Sequence, residues 1–236
     1  MITARGVTKS YGSVPVLRGL DVTIARGRVT AVVGPNGAGK TTFIKALLGL
    51  TRPDAGVLTF DGVAIGEDEA YRARIGYMPQ IAHFPENLTG SELLELLRDL
   101  RGTESCDERL IDQFGLRASL DKQLRVLSGG TRQKVNATAA FLFAPDLYVL
   151  DEPTSGLDPV SSGILKERIL AERVAGRTII LTSHVLSEVD ELADDVVFLE
   201  EGEVRFAGGV SELKRRTGQT SIERAVAALM TREAAA

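Results

Sequence analysis

Residues 34–42 read GPNGAGKTT and fit the pattern G-x-x-x-x-G-K-[ST], with Gly34, Gly39, Lys40 and Thr41 at its fixed positions. A loop of this kind uses small residues so that backbone N–H groups, here of Asn36, Gly37, Gly39 and on into Thr42, close around phosphate oxygens. Lys40 would reach the β- and γ-phosphates, and the Thr41 hydroxyl would ligate Mg²⁺. A second constellation follows an apolar run, Leu147-Tyr148-Val149-Leu150, which ends in Asp151 and Glu152. A carboxylate at a strand end can help hold Mg²⁺ opposite the lysine, the expected role of Asp151. Glu152 would then face the γ-phosphate and polarise an attacking water. Either acid alone is commonplace at a strand end; together with the phosphate loop they specify a nucleotide hydrolase, with ATP as the expected nucleotide.

Regular elements must hold these groups in place. The run 29–33 reads as a buried strand and 42–48 as a helix, so the glycine loop lies between strand and helix. Residues 1–30 alternate in two segments, 2–8 and 14–24, that read as antiparallel strands. A turn at 51–56 precedes a strand at 57–60, and 75–80 is a short strand running into a loop. From 85 to 143 the pattern turns helical. Thr89-Gly90-Ser91-Glu92 is a capping box opening 93–100, and Ser105-Cys106-Asp107-Glu108 repeats the pattern before Leu110, Ile111 and Phe114. A third helix is expected over 130–143. Then come a buried strand at 147–150, a helix over 160–175, a buried strand at 178–182, a helix over 186–193, and a hairpin of 196–199 with 203–207. This alternation predicts a largely parallel sheet covered on both faces. Residues 221–231 place Ile222, Ala225, Val226, Leu229 and Met230 on one helical face.

Residues 127–133 read LSGGTRQ, which resembles the LSGGQ signature of the ATP-binding cassette (ABC) ATPases, with Thr131 where the family usually has Gln. Ser128, Gly129 and Gly130 opening a helix form a second anion-receptive N-terminus. One chain already has its phosphate cradle, so a second suits a head-to-tail pair in which each signature closes on the partner's γ-phosphate. Other positions match the family in order over residues 2–210. Tyr11 stands where the family stacks an aromatic on adenine. Gln80 matches the glutamine that senses metal and water, residues 155–158 resemble the loop that crosses the dimer interface, and His184 matches the histidine that contacts the γ-phosphate. Alone, such a Tyr would be a turn residue and such a His structural.

The resemblance implies an α/β, RecA-like P-loop NTPase fold: a mostly parallel sheet, an antiparallel β subdomain, and an inserted α-helical subdomain at about 85–143. The ATPase domain would span 1–210 and a short helical tail 211–236. ATP would lie between Tyr11 and the glycine loop, with Mg²⁺ held by Thr41, Gln80 and Asp151. Ser128, Gly129 and Gly130 of a second copy would complete the site, with Asp158 at the same interface. Glu152 and His184 would serve the reaction itself, with Lys40 and Gln80.

Net charge is −4, which disfavours nucleic acid as a partner. Cys106 is the only cysteine, so no intrachain disulfide exists. The N-terminus lacks an apolar signal-peptide region. No run approaches the ~20 apolar residues of a membrane helix. A membrane link would run through an integral transporter subunit, with this chain on the cytoplasmic face of the inner membrane. Phe84, Pro85, Leu88 and Leu93 stand where transporter ATPases form a groove for that subunit, and the chain resembles the ATPases of drug and polysaccharide exporters. A soluble non-transport ABC ATPase of the iron–sulfur assembly type stays open as the alternative. Residues 77–89 and 127–136 further resemble the copper-processing ATPase that serves nitrous-oxide reductase maturation, which implies a periplasmic partner and a copper or sulfur delivery step. The chain itself is no copper carrier, because Cys106, His83, His184, Met78 and Met230 show no ligand spacing.

Overall fold

The computed structural model describes residues 1–66, 69–103 and 105–233. β1 (Ile2–Tyr11) and β2 (Val14–Ile24) pair antiparallel, as their alternation predicts. β3 (Val29–Val33) is buried along its whole length and leads through the glycine loop into α1 (Lys40–Leu47). β4 (Ala55–Phe60) returns to pair with β1, and β5 (Val63–Ala64) pairs with β4. β6 (Ile75–Met78) re-enters the main sheet.

The helical stretch follows. α2 (Gly90–Arg101) opens on the foreseen capping box, in which Thr89 Oγ1 accepts from Glu92 N–H and Glu92 accepts from Thr89 N–H. The second expected box does not form. α3 (Arg109–Gln113) has Glu108 as its cap residue with no side-chain cap bond. The Glu108 carboxylate pairs instead with Arg98 across the insert, an ion pair that outcompetes the local backbone N–H groups. α4 (Arg117–Leu120) and α5 (Gly129–Phe141) complete the stretch.

β7 (Leu147–Asp151), α6 (Pro159–Val174), β8 (Thr178–Thr182), α7 (Leu186–Leu192), β9 (Asp195–Glu200) and β10 (Glu203–Gly209) supply the alternation read from the sequence. α8 (Val210–Thr217) opens the stretch expected as a helical tail; half of its residues are charged, and only Val210, Leu213 and Thr217 are buried. α9 (Ile222–Glu233) was expected, and Ile222, Ala225 and Val226 pack it into the core of its own chain. The last three residues of the expected tail lie outside the described residues.

One sheet runs β2-β1-β4-β5, the other β10-β9-β3-β8-β7-β6, with β9 through β6 all parallel neighbours. The alternation along β7 shows why its strand is apolar throughout. Tyr148 and Leu150 face the helices of one core, while Leu147 and Val149 face α1 and the antiparallel sheet. In a parallel sheet, the crevice at the carboxyl ends of the strands receives ligands. Here β3, β8, β7 and β6 are consecutive neighbours, so the segments leaving their carboxyl ends emerge on one edge.

Candidate functional site

The glycine loop bridges β3 and α1 in a shape only glycine permits at two of its positions. A Cβ on Gly34, at φ +152°, would lie 2.0 Å from the Leu199 carbonyl oxygen. On Gly39, at φ +100°, it would lie 2.8 Å from Leu17 Cδ2 and 2.9 Å from the Val16 carbonyl oxygen. Asn36, Gly37 and Thr41 are exposed and Thr42 is half-buried. Lys40 is buried, and its Nζ donates to the carbonyls of Gly34 (2.7 Å) and Pro35 (2.9 Å). Burial lowers its pKa, opposed by the negative charges of Glu152 and Asp151. An ammonium held by neutral carbonyls inside a ring of N–H groups is a donor set that fits a phosphate chain.

Asp151 ends β7 buried, and its Oδ1 accepts from Thr182 Oγ1 at 2.5 Å. Thr182 Oγ1 in turn accepts from Glu152 N–H at 3.0 Å. Glu152 thereby leaves the strand with φ +49°, a left-handed conformation that costs energy in a residue with a Cβ. The turn brings its carboxylate against two side chains from neighbouring strand ends. Gln80 Nε2 donates to Oε2 at 2.9 Å, and His184 Nε2 lies 2.7 Å from Oε1. Gln80, Glu152 and His184 thus form one triangle, and they reach it from the ends of β6, β7 and β8.

Three other expected groups make no hydrogen bond to the triangle among the described residues. Ser128 caps α5, where its Oγ accepts from Thr131 N–H at 3.2 Å and lies 2.8 Å from Thr131 Oγ1. Among the described residues no hydrogen bond joins residues 128–130 to the glycine loop or to the triangle. Asp158 caps α6 through Ser161 N–H and Oγ, and pairs with Lys134 of α5 at 3.1 Å. Tyr11 ends β1 about half exposed, with its hydroxyl 3.4 Å from Thr51 Oγ1.

Of the four residues expected to line a groove beyond Gln80, Phe84 lines a cavity there, while Leu88 and Leu93 turn inward. Leu93 is buried in the core and Leu88 packs against it, because both fall on the inward face of the insert. That cavity, of about 350 Å³, is also lined by Pro79, Leu97, Arg101, Ala139 and Phe143 among others. Thr182, which ties the Asp151 carboxylate to the Glu152 N–H, was passed over in the sequence, where it shows only as a hydroxyl ending an apolar strand.

Metal donors fit a substrate-completed site. Among the described residues no three His, Cys, Asp or Glu groups cluster to hold a metal. A hydroxyl (Thr41) and one strand-end carboxylate (Asp151) suit Mg²⁺, which keeps water and takes phosphate oxygens to complete its shell.

The sequence profile of the family described as ABC transporter matches residues 17–155. The chain is 38% identical over 228 residues to daunorubicin resistance ATP-binding protein DrrA3 of Streptomyces coeruleorubidus, covering 94% of this chain and 72% of that one. It is 35% identical over 219 residues to Nod factor export ATP-binding protein I of Ralstonia nicotianae, covering 90% and 68%. The fold of a solved ATP-binding subunit of an ABC transporter superposes with a TM-score of 0.91 at 30% identity, covering 98% of this chain and 99% of that one.

Proposed function

Because this chain belongs to the ABC transporter family as an ATP-binding subunit that hydrolyses ATP, we propose that it is the motor of an exporter, working as a pair on a membrane partner. The observation that carries the catalytic assignment is the triangle around Glu152. Strain and two hydrogen-bonding neighbours hold one carboxylate beside the phosphate loop. Glu152 takes the proton of the attacking water, while Gln80 orients the carboxylate and His184 supports the γ-phosphate. Lys40 turns its Nζ from the loop carbonyls to phosphate oxygens. Thr41 and Asp151, with support from Gln80, would hold Mg²⁺, which would supply charge neutralisation on the phosphates. Tyr11 offers its exposed ring to adenine.

The signature supports a two-copy site. Ser128, Gly129 and Gly130 sit at an exposed helix start that its own chain leaves unbonded to the glycine loop, and a second copy places it over the γ-phosphate, with Asp158 at the seam. Loss of the γ-phosphate removes the shared contacts and opens the pair.

Among the described residues no helix is long and apolar enough to cross a membrane. The Phe84 cavity is the proposed seat of an integral membrane subunit, with this chain on its cytoplasmic side. The names of the relatives, drug resistance and Nod factor export, favour export over the iron–sulfur assembly alternative. They lend no support to copper or sulfur delivery or to a periplasmic partner. The test is capture of tagged Glu152→Gln protein with ATP and Mg²⁺ from detergent-solubilised native membranes. A polytopic membrane protein at near-equal abundance supports the transporter reading; soluble partners alone would reject it.

A further inference from the structure

Asn136 lies in α5, buried to 1% exposure, and no part of the mechanism above uses it. Its Nδ2 donates to the Pro79 carbonyl at 2.8 Å and to Gln133 Oε1 at 3.2 Å. Its Oδ1 and the Gln133 Nε2 are buried without hydrogen-bond partners. A buried amide left half satisfied costs stability, which its two donated bonds to the Pro79 carbonyl and Gln133 Oε1 offset.

What the group holds is informative. Pairing of β6 with β7 ends at Met78 opposite Leu150, so the backbone leaves the sheet at Pro79. The next residue is Gln80, whose Nε2 meets Glu152. Asn136 anchors the chain at its departure point, one residue before the side chain that must reach the carboxylate. The anchor is stiff, because α5 lies directly against β6: a Cβ on Gly76 would come within 2.6 Å of the Ala140 carbonyl oxygen. The same helix begins at Ser128–Gly130.

We infer that Asn136 is a positioning residue. By holding the Pro79 carbonyl it fixes Gln80 against Glu152 and couples that contact to the helix that presents the signature. This inference rests on the proposed roles of Gln80 and Glu152. Asn136→Leu removes the donor and releases the Pro79 carbonyl, and Asn136→Asp keeps the shape but turns the donor into an acceptor facing a carbonyl.

The test is a cycle of ATPase rates with Gln80→Ala, alongside ATP affinity by calorimetry and thermal melting. Asn136→Leu is expected to stay folded with a lowered melting temperature, because the Pro79 carbonyl and Gln133 Oε1 lose their donor, and to bind ATP within about twofold of wild type, yet to lose kcat about tenfold, as misplacement of a reacting group does. Asn136→Asp loses kcat likewise. In the Gln80→Ala background neither change lowers kcat further, because the group it positions is gone. Wild-type kcat in a folded Asn136→Leu protein overturns the inference. So does a loss that multiplies in full onto that of Gln80→Ala. Wild-type turnover in Gln80→Ala itself would sink the assignment of Gln80, and this inference with it.

Discussion

Replacing Glu152 by Gln separates shape from charge at the centre of the site. The carboxylate accepts from Gln80 Nε2 at 2.9 Å and lies 2.7 Å from His184 Nε2. A glutamine fills the same volume. Its carbonyl oxygen still accepts from Gln80, and its amide donates to His184 Nε2 once that ring carries its proton on Nδ1. The turn at φ +49° is held by Thr182 through the backbone N–H, which the substitution leaves in place. Geometry therefore survives, and the proton acceptor is lost. General-base catalysis contributes about 10²–10⁴-fold, which corresponds to roughly 3–5 kcal/mol of barrier. The assay is phosphate release at saturating ATP and Mg²⁺, with ATP affinity measured in parallel. The expected result is a kcat lower by about 10²–10⁴-fold with affinity nearly unchanged. Turnover above about a tenth of wild type would refute the assignment of Glu152 as base. A fall in affinity matching the fall in rate would show that the residue binds rather than reacts.

Other groups give distinct signatures. Lys40→Ala removes a charged donor to phosphate worth about 1.5–3 kcal/mol, so calorimetry should show ATP affinity reduced by about tenfold or more. Gly34→Ala drives a Cβ to 2.0 Å from the Leu199 carbonyl oxygen, so the loop must shift and both melting temperature and ATP binding should fall. Arg168 is buried between Asp107 and Glu172, at 2.8 and 2.6 Å; Arg168→Ala leaves these carboxylates without it and should cost about 3–5 kcal/mol in urea unfolding. The Arg109 and Arg168 guanidiniums hold the Asp107 carboxyl well below the usual range despite its burial. A depressed carboxylate pKa stabilises the fold above its unfolded value and loses that effect as pH falls. Asp107→Asn should therefore be less stable than wild type at pH 7, with the gap closing below about pH 4.

The readable parts of the chain were those where one residue type serves one physical need. The glycine loop requires glycines because Gly34 and Gly39 have carbonyls and side chains where a Cβ would stand. β3, β7 and β8 were legible because strands buried on both faces must be apolar throughout. The α2 box was legible because its two partners are three residues apart. Ser105–Glu108 has the same spelling, yet Arg98, ten residues from Glu108 along the chain, claims the carboxylate. No local pattern carries that information. The bounds of α8 within the expected helical tail hid because its few buried residues sit among charges. Thr182 and Asn136 are ordinary letters whose importance comes from what the sheet places beside them, Asp151 and Pro79. Ser128 is a third kind of case: its helix cap is complete within one chain, and its proposed contact needs a second copy.

In the proposed site two copies share each ATP. Sedimentation of Glu152→Gln protein, with and without ATP and Mg²⁺, is the decisive measurement, with Ser128→Arg added as a second substitution in a parallel sample. The expected result is one chain's mass without nucleotide, twice that mass with ATP, and no doubling in the Ser128→Arg sample, where the larger side chain would block the signature contact. A protein that binds ATP fully yet keeps one chain's mass, or that doubles equally well with Ser128→Arg, would contradict it.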